Sequence, residues 1–228
     1  DDQLVHKTNI LRPARRVVIK VGSSILSKAD GVNGVNLDSV TRLVREIAAL
    51  HADKKEIVLV SSGAVAAGMS RLGMQTERSR TIPTKQAAAA VGQIALMALY
   101  EQSFSAYGAH VGQILLTHDD VANRQRYLNA KRTMLTLLDA RVIPIVNEND
   151  SVAVEEIEFG DNDNLSALVA VLIGADLLVI LSDVAGLYNK DPRTHADAQL
   201  VSLVEHCDEE LPYHTGGAGP LGRGGMTS

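Results

Sequence analysis

Two runs of short polar side chains, Asn147-Glu148-Asn149-Asp150 and Asp161-Asn162-Asp163-Asn164, bracket one short segment of the chain. The first closes an aliphatic run, Val142 to Val146, and the second opens another, Leu165 to Ala175. Asn and Asp in such places serve turns and helix caps, or they converge on a polar ligand as fixed donors and acceptors. Three other aliphatic runs end in groups of the same kind. Val17 to Val21 contains Lys20 and is followed by Gly22-Ser23; Ile57 to Val60 leads into Ser62-Gly63-Ala64; Leu177 to Leu181 is followed by Ser182-Asp183. A cation among backbone N–H groups, hydroxyls and carboxylates is the equipment of phosphoryl transfer, where charge on the moving phosphate must be neutralised.

These groups need elements to hold them at one place. The runs 17–21, 57–60, 110–116, 142–146 and 177–181 read as strands, and Val152 to Phe159 as a small hairpin or edge strand. Leu37 to Leu50 has helical spacing with Asn36 as N-cap, and Gln86 to Tyr107, Arg124 to Leu138 and Leu165 to Ala175 read as further helices. Alternating apolar strands and helices predict an α/β fold with a mostly parallel sheet covered on both faces. Ligands of such sheets bind outside the carboxyl ends of the strands, which is where the candidate residues fall.

With 46% hydrophobic but only 3% aromatic residues, the core is built of Val, Ile, Leu and Ala. A net charge of −5 offers no footprint for nucleic acid. No apolar run reaches membrane-spanning length, no signal-peptide apolar region opens the chain, and the single cysteine, Cys207, fits a reducing compartment. Beside it, His206 lacks the second pair a metal site needs, and no metal ligands are assigned. Ser62 lies outside any Gly-x-Ser-x-Gly turn, so its loop reads as anion-binding or as close helix–sheet packing. The glycines 217, 219 and 222 follow no strand, which excludes a dinucleotide fingerprint. Arg223-Gly224-Gly225-Met226-Thr227 reads as a flap able to wrap a polyphosphate or as a simple tail. The cluster at Asp161 lacks the glycine and glutamate of a calcium loop.

Taken together, Ile19-Lys20-Val21-Gly22-Ser23-Ser24, Val60 to Gly68, Val146 to Asp150, Gly160 to Ala167 and Ser182 to Tyr188 resemble the amino acid kinase family. The Asn-Glu-Asn-Asp and Gly-Asp-Asn-Asp-Asn-Leu-Ser-Ala segments match its glutamate-phosphorylating branch. The resemblance implies a three-layer αβα sandwich over residues 17–228, after a lead-in at 1–16, and a chain that stops short of the domain's C-terminal part. It implies ATP-dependent phosphorylation of the L-glutamate side-chain carboxylate with Mg²⁺, in the cytoplasm, by a homo-oligomer inhibited by proline. Lys20 would stabilise the transferring phosphoryl group and Asp163 would organise the catalytic lysines. Ser62, Gly63, Ala64, Asn147, Asp150 and Asn162 would bind glutamate. Lys20, Gly22, Ser23, Ser182, Asp183 and Arg223, Gly224, Gly225, Met226 and Thr227 would contact ATP. The family's second lysine would fall directly beyond Ser228. Ser151 to Phe159 would form a lid over glutamate, where an end-product inhibitor could act. The competing readings are an acetylglutamate, uridylate or carbamate kinase, or a non-catalytic amino-acid sensor of the same fold.

Overall fold

In the computed structural model, residues 11, 13–26, 34–74, 81–152 and 162–204 are described. Five strands, β1 (Arg16–Val21), β2 (Glu56–Ser61), β3 (His110–Leu116), β4 (Val142–Glu148) and β5 (Leu177–Leu181), form a sheet in the order β3-β4-β2-β1-β5. Every pairing in it is parallel. All five carboxyl ends therefore share one edge of the sheet.

Around the sheet lie helices α1 (Ser23–Leu26), α2 (Leu37–Ala52), α3 (Ala64–Arg71), α4 (Ile82–Ser105), α5 (His118–Ala122), α6 (Arg124–Asp139) and α7 (Asn162–Ile173). Strand residues alternate between two apolar layers, as a pleated sheet buried on both faces requires. Val17, Ile19, Val21, Ile57, Leu59, Ile143 and Ile145 pack with Val44 and Ile47 of α2 and with Leu96, Tyr100 and Phe104 of α4. Val18, Val58, Val60 and Val146 pack with Met134 and Leu138 of α6 and with Leu165, Val169 and Leu172 of α7. The result is the expected three-layer αβα sandwich.

Asn36 caps α2 as anticipated, its side chain accepting from Ser39 N at 3.2 Å. Elsewhere the boundaries move. α4 begins at Ile82, ahead of the expected Gln86, because Pro83 sits in its first turn, where its fixed φ suits the helix and its missing N–H costs nothing. α7 begins at Asn162, not Leu165, so Asn162 and Asp163 belong to its first turn. β4 runs through Asn147 to Glu148, because backbone pairing with Leu115 and Leu116 continues whatever the side chains are. Ser23 opens the short α1, and neither it nor α5, capped reciprocally by Thr117 and Asp120, is among the helices expected from the sequence. The expected hairpin and lid beyond Val152, Asp161, the His206-Cys207 pair and the flap Arg223 to Thr227 lie outside the described residues.

Candidate active site

Lys20 lies on the sheet face covered by α7, one residue before β1 ends, and only 4% of it is exposed. Its Nζ is 2.5 Å from Oδ1 of Asp163 in the first turn of α7. An ammonium so buried needs such a partner, and the carboxylate fixes its direction toward the strand ends. Gly22 keeps the space beside it open: a Cβ there would stand 3.6 Å from Lys20 Nζ. Ser62 N donates to Val21 O at 3.1 Å, tying the end of β2 to the end of β1.

A relay of side-chain hydrogen bonds crosses the edge beside this pair. Gln93 Oε1 on α4 accepts from Asn147 Nδ2 at 3.0 Å. Asn147 Oδ1 accepts from Asn162 Nδ2 at 3.1 Å, and the same Nδ2 donates to Ser62 Oγ at 2.7 Å. Gln93, Asn147 and Asn162 are buried and Ser62 is half-buried. Four residues, one each from β4, α4 and α7 and one directly after β2, are thereby fixed as one unit. Below it, the fully buried Tyr100 hydroxyl pairs with Ser61 Oγ at 2.8 Å, and burial pushes that phenol far above its ordinary range.

Gly63 has φ of +100°, a left-handed conformation that a side chain strains, and it leads into α3 without any capping side chain. The first N–H groups of α3 therefore face the strand edge beside Ser62, a disposition suited to an anion. The arrangement of α3 and α4 is set by small residues. A Cβ on Gly68 would lie 1.7 Å from Ala88 O, and one on Gly92 would lie 1.8 Å from Ala64 O. On the other flank, Ser182 Oγ donates to exposed Asp183 Oδ1 at 3.2 Å beyond β5.

The structure thus brings Lys20, Gly22, Ser62, Gly63, Ala64, Asn147, Asp150, Asn162 and Asp163 to one edge, with Ser23, Ser182 and Asp183 on its β1–β5 side. Asp150 borders a cavity of about 220 Å³ that is also lined by Gln93, Gln113, Glu148 and Asn149. Gln93 escaped the sequence reading. Its signal was present, since it is the single polar side chain between Ala87 and Leu99. Among the described residues, no three His, Cys, Asp or Glu side chains converge as metal ligands, and no helix is long and apolar enough to cross a membrane.

The carboxyl edge of the parallel sheet thus carries a buried lysine–aspartate pair between an amide relay and a second polar loop, equipment suited to holding and orienting anions. The chain belongs to the amino acid kinase family, whose sequence pattern matches residues 15–228. Among curated relatives, the glutamate 5-kinase of Pelobacter propionicus is 50% identical over 223 residues, covering 97% of this chain and 59% of that protein. A glutamate 5-kinase of Thermus thermophilus is 51% identical over 215 residues, covering 94% and 57%. This chain thus spans less than two thirds of the length of these relatives. The UMP kinase of Bacillus anthracis shares the fold, with a TM-score of 0.53 and 18% identity over 82% of this chain and 72% of that one.

Proposed function

We propose that the protein to which this chain belongs transfers the γ-phosphoryl group of ATP to the side-chain carboxylate of L-glutamate, giving γ-glutamyl phosphate and ADP. The observation that carries the reading is positional. Along the order β4-β2-β1-β5, the amide relay of Asn147, Asn162 and Ser62 comes first, Lys20 stands in the middle, and Ser182-Asp183 lies beyond. Similarity to the glutamate 5-kinases of several bacteria supports the same substrate.

The chemistry asks little of acid–base groups. A glutamate carboxylate is ionised at neutral pH, so one of its oxygens attacks the γ-phosphorus without a general base, and the bond to the bridging oxygen of ADP breaks. What remains is alignment and neutralisation of charge. Lys20, aimed by Asp163, faces the oxygens of the moving phosphoryl group. Ser62, the N–H groups after Gly63, Asn147, Asp150 and Asn162 hold glutamate, with Asp150 on its ammonium. Gly22, Ser23, Ser182, Asp183 and the segment Arg223 to Thr227 take the nucleotide. Mg²⁺ would arrive on the ATP phosphates, supplying charge neutralisation there.

Proline, the glutamate skeleton closed into a ring, would compete for the same ammonium and carboxylate contacts and act as feedback inhibitor. A homo-oligomeric assembly belongs to the same reading, supported by the apolar exposed face of α4, where Ile94 is 71% exposed. ATP as donor implies a cytoplasmic setting. The test is ATP-dependent turnover by the full-length protein with L-glutamate, acetylglutamate, UMP and carbamate, followed as ADP release and, for glutamate, as the hydroxamate trapped from its acyl phosphate. Glutamate is expected to be the fastest acceptor. Faster turnover of another, or ATP binding without turnover, would overturn the proposal.

A further inference from the structure

We infer that Gln93 is a positioning residue that sets the hydrogen-bond polarity of the amino-acid side of the crevice, and with it the selection of a ligand bearing both an ammonium and a carboxylate. The inference rests on the function proposed above and extends it to a residue on α4.

Because Gln93 Oε1 accepts from Asn147 Nδ2, Asn147 presents its Oδ1 to Asn162. Asn162 Nδ2 has two hydrogens, one for Asn147 Oδ1 and one for Ser62 Oγ. What Asn162 can offer a ligand is therefore its carbonyl oxygen, an acceptor. Ser62 Oγ already accepts, so its remaining hydrogen is what it can donate. An acceptor and a donor side by side complement an ammonium and a carboxylate on one carbon.

Nothing within Asn147 and Asn162 themselves dictates this direction. Turning both amides over, with Ser62 donating back to Asn162, makes an equally complete chain of the opposite polarity. The residue at the end of the relay decides. Gln93 is 8% exposed, and its Nε2 has no hydrogen-bond partner among the described residues. Gln93 lines the cavity of about 220 Å³ that Glu148 and Asp150 also line. The negative charge of these two carboxylates on the same cavity favours the amide orientation that leaves Oε1 to Asn147 and Nε2 on the other side. The neighbouring Gly92, seated against Ala64 O, holds Gln93 at this depth.

The test uses the full-length protein with glutamate, ATP and glutarate, which lacks the α-ammonium. Gln93→Met keeps the length and removes both amide ends. It is expected to raise the glutamate KM about tenfold or more, leave the ATP KM within about twofold, and shrink the preference for glutamate over glutarate by a similar factor. Gln93→Glu supplies a second readout that stands even if the methionine variant does not fold. A buried acid protonates readily, and its neutral form reproduces an acceptor and a donor. Its glutamate KM, relative to the parent, should fall about threefold or more from pH 8 to pH 6. Unchanged glutamate/glutarate selectivity in a folded variant, equal increases in both KM values, or a flat pH response in Gln93→Glu overturns the inference alone. A parent protein that turns over no glutamate overturns both it and the proposed function.

Discussion

At the scale of single residues the centre of the site is Lys20, whose environment resembles that of a structural ion pair. It is nearly fully buried and bonded to Asp163 at 2.5 Å, and a buried pair of that kind is weak evidence of function taken alone. The two roles separate experimentally. Lys20→Met removes the cation from the crevice and leaves Asp163 without its partner. It is expected to lower kcat by about 10³-fold and stability by about 3 kcal/mol. Adding Asp163→Asn relieves the stranded carboxylate, so the double variant should recover most of the stability in urea unfolding while its kcat stays low. Recovery of the rate along with the stability would show the lysine to be structural only.

At the scale of elements, the crevice depends on how closely α3 and α4 approach, which the glycines permit. In both Gly68 and Gly92 an added Cβ would strike a backbone carbonyl, which cannot swing aside as a side chain can. Gly92→Ala is expected to cost about 3 kcal/mol in urea unfolding and, by displacing Gln93, to raise the glutamate KM. Gly73→Ala is the control. Its φ of +65° strains a side chain, but nothing lies within 4 Å, so about 1 kcal/mol is expected; equal losses in the two variants would refute the packing argument. Strands such as Ile57 to Val60 were legible in the sequence because a strand buried on both faces is a continuous apolar run. The helix starts were less so. Asn162 and Asp163 read as a cluster capping a helix that starts at Leu165, yet short polar side chains are also favoured at the beginning of helices, and α7 takes them into its first turn. Lys20, Ser62, Asn147 and Asn162 could be nominated because each sits at or next to a strand end or a helix start. Gln93 stood out only as a lone polar side chain in an apolar run; its role was hidden, since its partner Asn147 is 54 residues away and only the packing of α4 on the sheet brings them together.

On the scale of the whole molecule, the two edges of the sheet are built differently. The carboxyl edge carries the crevice, whereas the amino edge is closed by a network of charges. Arg15 and Arg16 each reach Glu56 at 2.7 Å, joining the start of β1 to the start of β2. Their backbone N–H groups donate to Asp176 Oδ2 at 2.8 and 2.7 Å, adding the start of β5. Burial alone would raise the pKa of Glu56, but the contacts with Arg16 and then Arg15 outweigh it and hold the carboxyl below its ordinary range. Asp176 is also held low, first by the Arg16 N–H and then by that of Arg15. A carboxylate whose pKa is lower folded than unfolded binds fewer protons in the folded state. Its contribution is complete above the unfolded value and disappears as pH falls through the folded one. The amino edge should therefore loosen in acid, in the window below about pH 4.5. Urea unfolding of the parent and of Glu56→Gln tests this. At pH 7 the variant is expected to be less stable by about 1–3 kcal/mol, because it gives up hydrogen bonds between charged groups. As pH falls through the lowered pKa of Glu56 in the folded state, the parent's carboxylate becomes protonated as well, and the two stabilities should converge. A difference that stays constant from pH 7 down to that point would show that Glu56 contributes through packing, not through its charge.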